Sequence, residues 1–485
     1  MINFKNIFFA LLIVQTFVWA KAPEGLENSL MRITVTYQEG SAYVPWRWKS
    51  PKERSAQGLV VAPDLVLVLS ALVMDSTHIE ARLLAEPSPT VLKVSHVDFD
   101  RGLALLQGTL PKACKVITLP TTSFFQQGAE VKTFWKSDDG KFMEGHGKLD
   151  RAESARSEDS HQMQLWYEGS NVSVRGGFGE PVFCAGNLIG IGCSNGSGAE
   201  MSVLPVEMIH ARYELPSGRL KPDTAMSGFI TVPCKATQLR RNKGLGENDG
   251  GCLILDVMEQ GSGHLNLQKG DVLLAFNGRS LDAWGRYDDA KWGWQSWELL
   301  MTQLTLDQKP VCTVMRDGKK LDLNLTLSTI SEDQWVVPSY RAGETPRYFI
   351  RGGFVFQNLS LAYVRAWGKD WTKVAPDEIL SALDEEHGKV QNTGLKEIVL
   401  VSQVLSHPIN MGLQGFGRQV ISRVNDVDLV SLDQLKSLLD DPKSKMIKLS
   451  LRPGQSPLLL DPAELRKADA DIAKWYSITT MENLK

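Results

Sequence analysis

Acyl transfer by side chains needs a hydroxyl or thiol to attack, an imidazole to take its proton, and a carboxylate to orient the imidazole. The chain holds scattered parts of such a set in His78, His96, Asp98, Asp100 and Ser173. None stands at the spacing of a known triad, so each reads as a surface or strand-edge polar residue. The richest local signal is Arg175-Gly-Gly-Phe-Gly-Glu-Pro-Val-Phe183. Glycines of this kind let backbone amides approach a reacting group closely. The residue at the centre is Phe178, and a phenyl ring cannot attack a carbonyl. Metal chemistry has no footing either. The six cysteines (Cys114, Cys184, Cys193, Cys234, Cys252 and Cys312) form no CxxC pair and no zinc-type spacing. Their even number permits disulfides after export, but the irregular spacing favours buried small hydrophobes. No metal and no cofactor is expected.

The elements that must carry these residues are legible from pattern. A length of 485 residues suggests roughly three domains. Apolar content of 43% and charged content of 22% are those of globular protein. A formal charge of −3 without a basic stripe argues against a nucleic-acid partner. Met1–Asn6 is positive, Ile7–Trp19 is an apolar run, and Val18-Trp19-Ala20 is a small-x-small site. Residues 1–20 therefore read as a removable secretory signal, cleaved after Ala20, with no later run able to span a membrane. Many short strands from Ser29 to about Leu215 suggest a barrel or sandwich. A linker over 215–222 leads to a mixed block at 226–330 with a helix predicted over Trp297–Leu306. A second linker at 331–346 leads to a last block. It should contain a strand over Arg351–Phe356, a helix over Pro376–His387, a strand over Glu397–Val404 and a helix over Ser431–Leu439. A closing helix is capped by Asp461, with Pro462 at its first position and Glu464 placed to complete a capping box.

The first block resembles the trypsin-like domain of the HtrA/Deg (Do-like) serine proteases. The resemblance rests on Tyr43-Val-Pro-Trp46, Gly58-Leu-Val-Val-Ala-Pro-Asp64, Leu69-Ser-Ala-Leu-Val-Met74, Arg101-Gly-Leu-Ala-Leu-Leu106, and Arg175–Val182 with Asn187–Gly192. It implies a mainly β multidomain chain: a chymotrypsin-like double β-barrel at 24–215, then two PDZ-like α+β domains. The same frames put the general base at Leu72, the orienting carboxylate at Gly102 and the nucleophile at Phe178. All three chemical groups are missing, and Glu180 adds a carboxylate where an oxyanion would need donors. The resemblance therefore implies a pseudoprotease with no catalytic residues.

Leu267-Gln-Lys-Gly-Asp-Val-Leu-Leu-Ala-Phe-Asn-Gly278 is similar to a PDZ signature, with Gly251–Val257 as the strand before it. The family's carboxylate-binding loop falls on Ser227, Gly228, Phe229 and Ile230. There, glycine permits close backbone approach and the amides form an anion nest. A peptide would then add as a strand beside it. Trp297 heads the helix expected to wall the groove. The insertion bearing Trp284, Trp292, Trp294 and Trp297 should line that groove, dock on the barrel or cover the module's own core. The block at 346–485 resembles a degenerate second PDZ. Its loop position falls on Arg351–Phe356, and Arg418–Asn425 has lost the Gly-Asp turn, so its role should be structural or oligomer-forming rather than ligand binding. The expected function is an exported, inactive PDZ protein, periplasmic or extracellular. It would bind peptide or protein C-termini as a chaperone-like factor, adaptor or regulator of envelope proteolysis. An active protease is a possible partner, and a homo-oligomer is implied by the resemblance. The alternative is an active serine endopeptidase with a rearranged site.

Overall fold

The computed structural model describes residues 23–83, 88–156, 160, 162–171, 178–193, 200–215, 217–221, 225–338, 346–451 and 456–484. The signal segment, Ser173, Arg175 and Gly176 lie outside the described residues.

The first sheet contains β1 (Leu30–Tyr37), β2 (Lys52–Ala62), β3 (Leu65–Leu69), β4 (Ser76–Arg82), β5 (Thr90–Val91), β6 (Lys93–Asp98) and β7 (Leu103–Gln107). Their order is β5-β4-β1-β2-β3-β7-β6. A single helical turn, α1 (Ser70–Val73), follows β3. The second sheet is a closed barrel of β8 (Glu130–Lys136), β9 (Phe142–Ala155), β10 (Gln164–Asn171), β11 (Phe178–Cys184), β12 (Asn187–Cys193) and β13 (Glu200–Pro205). It ends in helix α2 (Val206–Arg212) and the small pair β14 (Tyr213–Glu214) and β15 (Arg219–Leu220). Strand β3 shows why the two sheets pack. Its five residues are all apolar and all buried. With side chains alternating, Val66 and Val68 enter the first sheet's own core. Leu65, Leu67 and Leu69 enter the core shared with the second barrel.

The third sheet is built from β16 (Phe229–Pro233), β17 (Cys252–Val257), β18 (Val272–Phe276), β19 (Arg279–Ser280), β22 (Val311–Arg316) and β23 (Lys319–Asn324). Its order is β16-β17-β18-β22-β23, with β19 on β18. Helix α3 (Thr237–Asn242) follows β16. The hairpin β20 (Arg286–Asp289) and β21 (Gly293–Ser296) precedes helix α4 (Glu298–Met301). The fourth sheet comprises β24 (Tyr348–Arg351), β25 (Phe354–Asn358), β26 (Val399–Val404), β27 (Gln419–Val424), β28 (Val427–Asp428), β29 (Ile447–Leu451), β30 (Leu458–Leu460) and β31 (Glu482–Asn483). It runs β30-β29-β27-β26-β25-β24-β31, with β28 on β27. Helices α5 (Leu361–Arg365), α6 (Trp371–Val374) and α7 (Asp377–Glu386) are inserted before β26. Helix α8 (Leu432–Asp440) precedes β29, and α9 (Pro462–Trp475) precedes β31. The path β16 to β23 thus repeats the path β25 to β30, strand for strand. The fourth sheet differs by adding β24 and β31 outside β25.

Several local expectations hold for plain reasons. The Asp461 carboxylate accepts the Ala463 and Glu464 amides, as an N-cap should. Ser431 does the same for Gln434 at the start of α8. Others are corrected. The helix expected over Trp297–Leu306 is only the four residues Glu298–Met301, because the chain leaves it at Thr302 to pair Leu304 O with Ala225 N at 3.0 Å. The single strand expected over Arg351–Phe356 is a hairpin turning at Gly352 and Gly353, both with positive φ. His78 lies beyond the helical turn α1, in strand β4, and its Nε2 sits 3.2 Å from Glu80. All six cysteines are free thiols; four are buried, while Cys114 and Cys193 are half-buried.

The domains touch through specific side chains. The β20–β21 hairpin docks on the second barrel. Trp292 Nε1 donates to Tyr167 Oη at 3.1 Å, Gln295 Nε2 to Ala152 O at 3.1 Å, and Lys291 pairs with Glu207 at 2.7 Å. The loop between β1 and β2 reaches the fourth sheet. There Tyr43 stands edge-on to Tyr363 and Trp367, at 5.4 and 5.0 Å, and Trp46 lies beside Tyr348.

Candidate functional site

Two places answer to the sequence expectations: the junction between the first two sheets, and the edges of the third and fourth.

At the junction, the Ser70 amide donates to Gly102 O at 2.9 Å and β3 pairs with β7. This brings the turn carrying Leu72 next to the turn carrying Gly102. Leu72 is only 1% exposed and belongs to the first sheet's core with Met31, Ile33 and Val68. Its carbonyl accepts Arg54 Nε at 2.9 Å. Gly102 has φ +70, and a Cβ there would meet nothing within 4 Å. Phe178 opens β11, pairs with Cys193, and packs against both the first sheet's core and the core shared by the two sheets. The three positions thus carry an aliphatic group, no side chain and an aromatic ring. None can transfer a proton.

The retained glycine beside Phe178 has a structural cause. Gly179 has φ +87, and a Cβ would lie 2.3 Å from the Gln57 carbonyl oxygen. Gln57 is itself 1% exposed. Its Nε2 donates to Lys136 O at 2.9 Å, and its Oε1 accepts the Lys136 amide at 3.1 Å. Strands β8 and β11 therefore meet β2 at Gln57, β8 through its side chain and β11 through its backbone, and only glycine lets β11 come so close. Lys136 is also buried at 1% exposure. Burial pushes its ammonium down to about 8, opposed by the nearby Cys114 and Glu27. Sequence reasoning missed both Gln57 and Lys136, because a polar residue inside an otherwise strand-like run carries no mark of where it points.

Of the polar residues near the carboxylate position, His96 Nδ1 is hydrogen-bonded to Tyr213 Oη at 3.0 Å. Asp98 Oδ2 lies 2.9 Å from Arg212 Nε and 3.9 Å from Arg101 Nε. Arg101 is 2% exposed, and burial holds its guanidinium below its usual range while Asp98 opposes the shift. Its Nη2 donates to Thr302 O at 3.4 Å, after α4. This cluster ties the first sheet to α2 and to the third sheet.

At the third sheet, β16 pairs only with β17 among the described residues, which leaves its other edge open there. Ser227 and Gly228 lie just before it. Gly228 O accepts the Met258 amide at 2.8 Å, while the Ser227 and Gly228 amides donate to no group among the described residues. A Cβ on Gly228 would lie 2.2 Å from Gly261 Cα, so this glycine is fixed by a packed loop behind it. Phe229 and Trp297 depart from the expectation. Each is 1% exposed, and their rings stack at 4.8 Å and 11° in the core. Trp297 Nε1 donates to Thr231 Oγ1 at 3.1 Å. Trp297 is thus a core residue beneath the strand, not a side chain free for a ligand. Ile230 is half-buried on the open strand.

At the fourth sheet the equivalent edge is covered. β24 pairs with β25 along its length, and β31 pairs with β24. The loop amide of Gly352 donates to Asp469 Oδ1 at 2.7 Å. A carboxylate from α9 therefore takes an amide of the loop that the resemblance aligns with the carboxylate-binding loop.

A PDZ domain profile matches residues 337–482. Among curated proteins, the chain is 21% identical to the mitochondrial protease Do-like 4 of Arabidopsis thaliana. That match spans 95% of this chain and 88% of the relative. It is 22% identical to the mitochondrial Do-like 3 of the same plant, over 93% of this chain and 78% of the relative. Among solved structures, it is similar to the HtrA-type protease AlgW with tripeptide, at a TM-score of 0.47 and 16% identity, over 64% of this chain and 99% of that one. Mainly β and multidomain, the chain is similar to Do-like proteases along nearly its whole length, and its last block matches a PDZ domain.

Proposed function

We propose that this chain is a non-catalytic member of the family that holds free polypeptide C-termini at the third sheet. The observation that carries the binding reading is the pair of undonated amides, Ser227 and Gly228, at the head of the open strand β16. Such amides favour an anionic group, and an open edge accepts an added strand. The repeated strand order of the third and fourth sheets supports reading residues 226–330 as a second PDZ-like module. The fourth sheet, with its edge and loop amide already taken, is structural in this reading.

The non-catalytic reading rests on Leu72, Gly102 and Phe178. Catalysis remaining after loss of a triad depends on oxyanion donors, and the buried Glu180 opposes a developing negative charge there. The names of the relatives favour an alternative, an endopeptidase with a rearranged site. No nucleophile–base pair at the three positions supports it.

The protein would be exported, with cleavage after Ala20, and would serve as a chaperone-like factor, adaptor or regulator of an active protease. Intact-mass measurement on protein from its host tests export, and a chain beginning at Met1 would contradict it. Titration with free-acid and C-terminally amidated peptides tests binding. Micromolar affinity, about −8 kcal/mol, is expected for the free acids and a large loss on amidation. Equal binding of both forms would refute carboxylate capture.

A further inference from the structure

The open edge of β16 leads to a cationic and aromatic stack that the carboxylate reading leaves unused. Beyond Pro233, the Cys234 amide donates to Ala283 O at 3.0 Å, which brings Trp284 to the far end of the strand. Lys235 Nζ lies 3.1 Å above the Trp284 ring. The Arg286 guanidinium stands between Trp284 and Trp294, 5.8 and 5.5 Å from their centroids. Both indoles are 54% exposed. The order along the surface is therefore Lys235, Trp284, Arg286, Trp294.

The two cations are not equivalent. Asp282 Oδ2 accepts Arg286 Nε at 2.9 Å and Nη2 at 2.7 Å, so the Arg286 charge is matched. Lys235 is exposed and pairs with no carboxylate among the described residues. Asp288, exposed and opposite Trp294 in the hairpin, lies at the other end of the stack from Lys235.

Chain direction follows from where the amides stand. A carboxylate held by Ser227 and Gly228 lies at the start of β16, so the bound chain must run antiparallel to it. At about 3.3 Å per residue, the five residues Phe229–Pro233 are matched by roughly the last five of the ligand. The next residues upstream emerge beside Lys235 and Trp284. We infer that the third sheet selects C-terminal segments bearing an acidic side chain about five to seven residues before the end, recognised by Lys235 on its Trp284 platform. This rests on the carboxylate reading above and adds its ligand class.

The test uses the full chain and fluorescent decapeptides with a free carboxylate and either two glutamates or two glutamines at those upstream positions. The glutamate peptide should bind about three- to fivefold tighter at low salt, the scale of an exposed ion pair. Lys235→Ala should erase the difference without abolishing binding, and Lys235→Glu should reverse it. Salt near ~0.5 M should also erase it. Equal affinities in the unaltered protein, or a preference that survives Lys235→Ala, would overturn the inference while leaving carboxylate capture in place. If neither free-acid peptide binds, carboxylate capture itself fails and the inference falls with it.

Discussion

Leu72 and Phe178, the positions of general base and nucleophile in the family frame, belong to one apolar cluster that forms the first sheet's core. At both positions the side chain is engaged in apolar packing. Truncating the fully buried Leu72 to alanine should cost about 2–5 kcal/mol, seen as a lower denaturation midpoint. A neutral effect would mean that the core does not rely on it.

Gly179 lets β11 pass against the backbone of Gln57. Gly179→Ala should destabilise by about 1–3 kcal/mol from positive φ alone, with the 2.3 Å approach to Gln57 O adding to this. The readout is denaturant unfolding followed by the fluorescence of the barrel tryptophans.

Lys136 makes stability depend on pH in a defined window. Its folded value, about 8, lies below the usual lysine value of 10.5. The unfolded chain therefore holds more protons than the folded one between these values, and stability rises with pH across them. Lys136→Met should stabilise the protein below pH 8, by on the order of 1–3 kcal/mol, and the gain should fade as pH approaches 10.5. Melting curves of both proteins at pH 7 and 10 decide this. A gain unchanged by pH would contradict the assignment.

Trp292 anchors the third sheet to the closed barrel through Tyr167. Trp292→Ala should loosen that docking and speed proteolytic nicking between residues 215 and 225, with β16 and its peptide affinity unchanged. Unaltered nicking would show that Gln295 and Lys291 suffice to hold the hairpin.

The sequence carried the strand runs, the cap at Asp461, and the glycine-rich frames, because alternation, capping and turn chemistry are local. It did not carry the short α4. The bond between Ala225 and Leu304 joins residues far apart in sequence and stops the helix early. Trp297 illustrates the same limit. Its type and spacing suited a groove wall, but its stacking on Phe229 depends on tertiary packing. Nor could the sequence show that the fourth sheet fills its own edge, since β24, β31 and Asp469 meet only in the fold.

The most direct test of the central claim is incubation of the purified protein, and of its Phe178→Ser variant, with unfolded casein and a fluorophosphonate probe. The predicted result is no turnover and no labelled serine in either, since the variant restores a hydroxyl but neither base nor orienting carboxylate. Turnover that survives repurification, with the label mapped to a serine of this chain, would contradict the account.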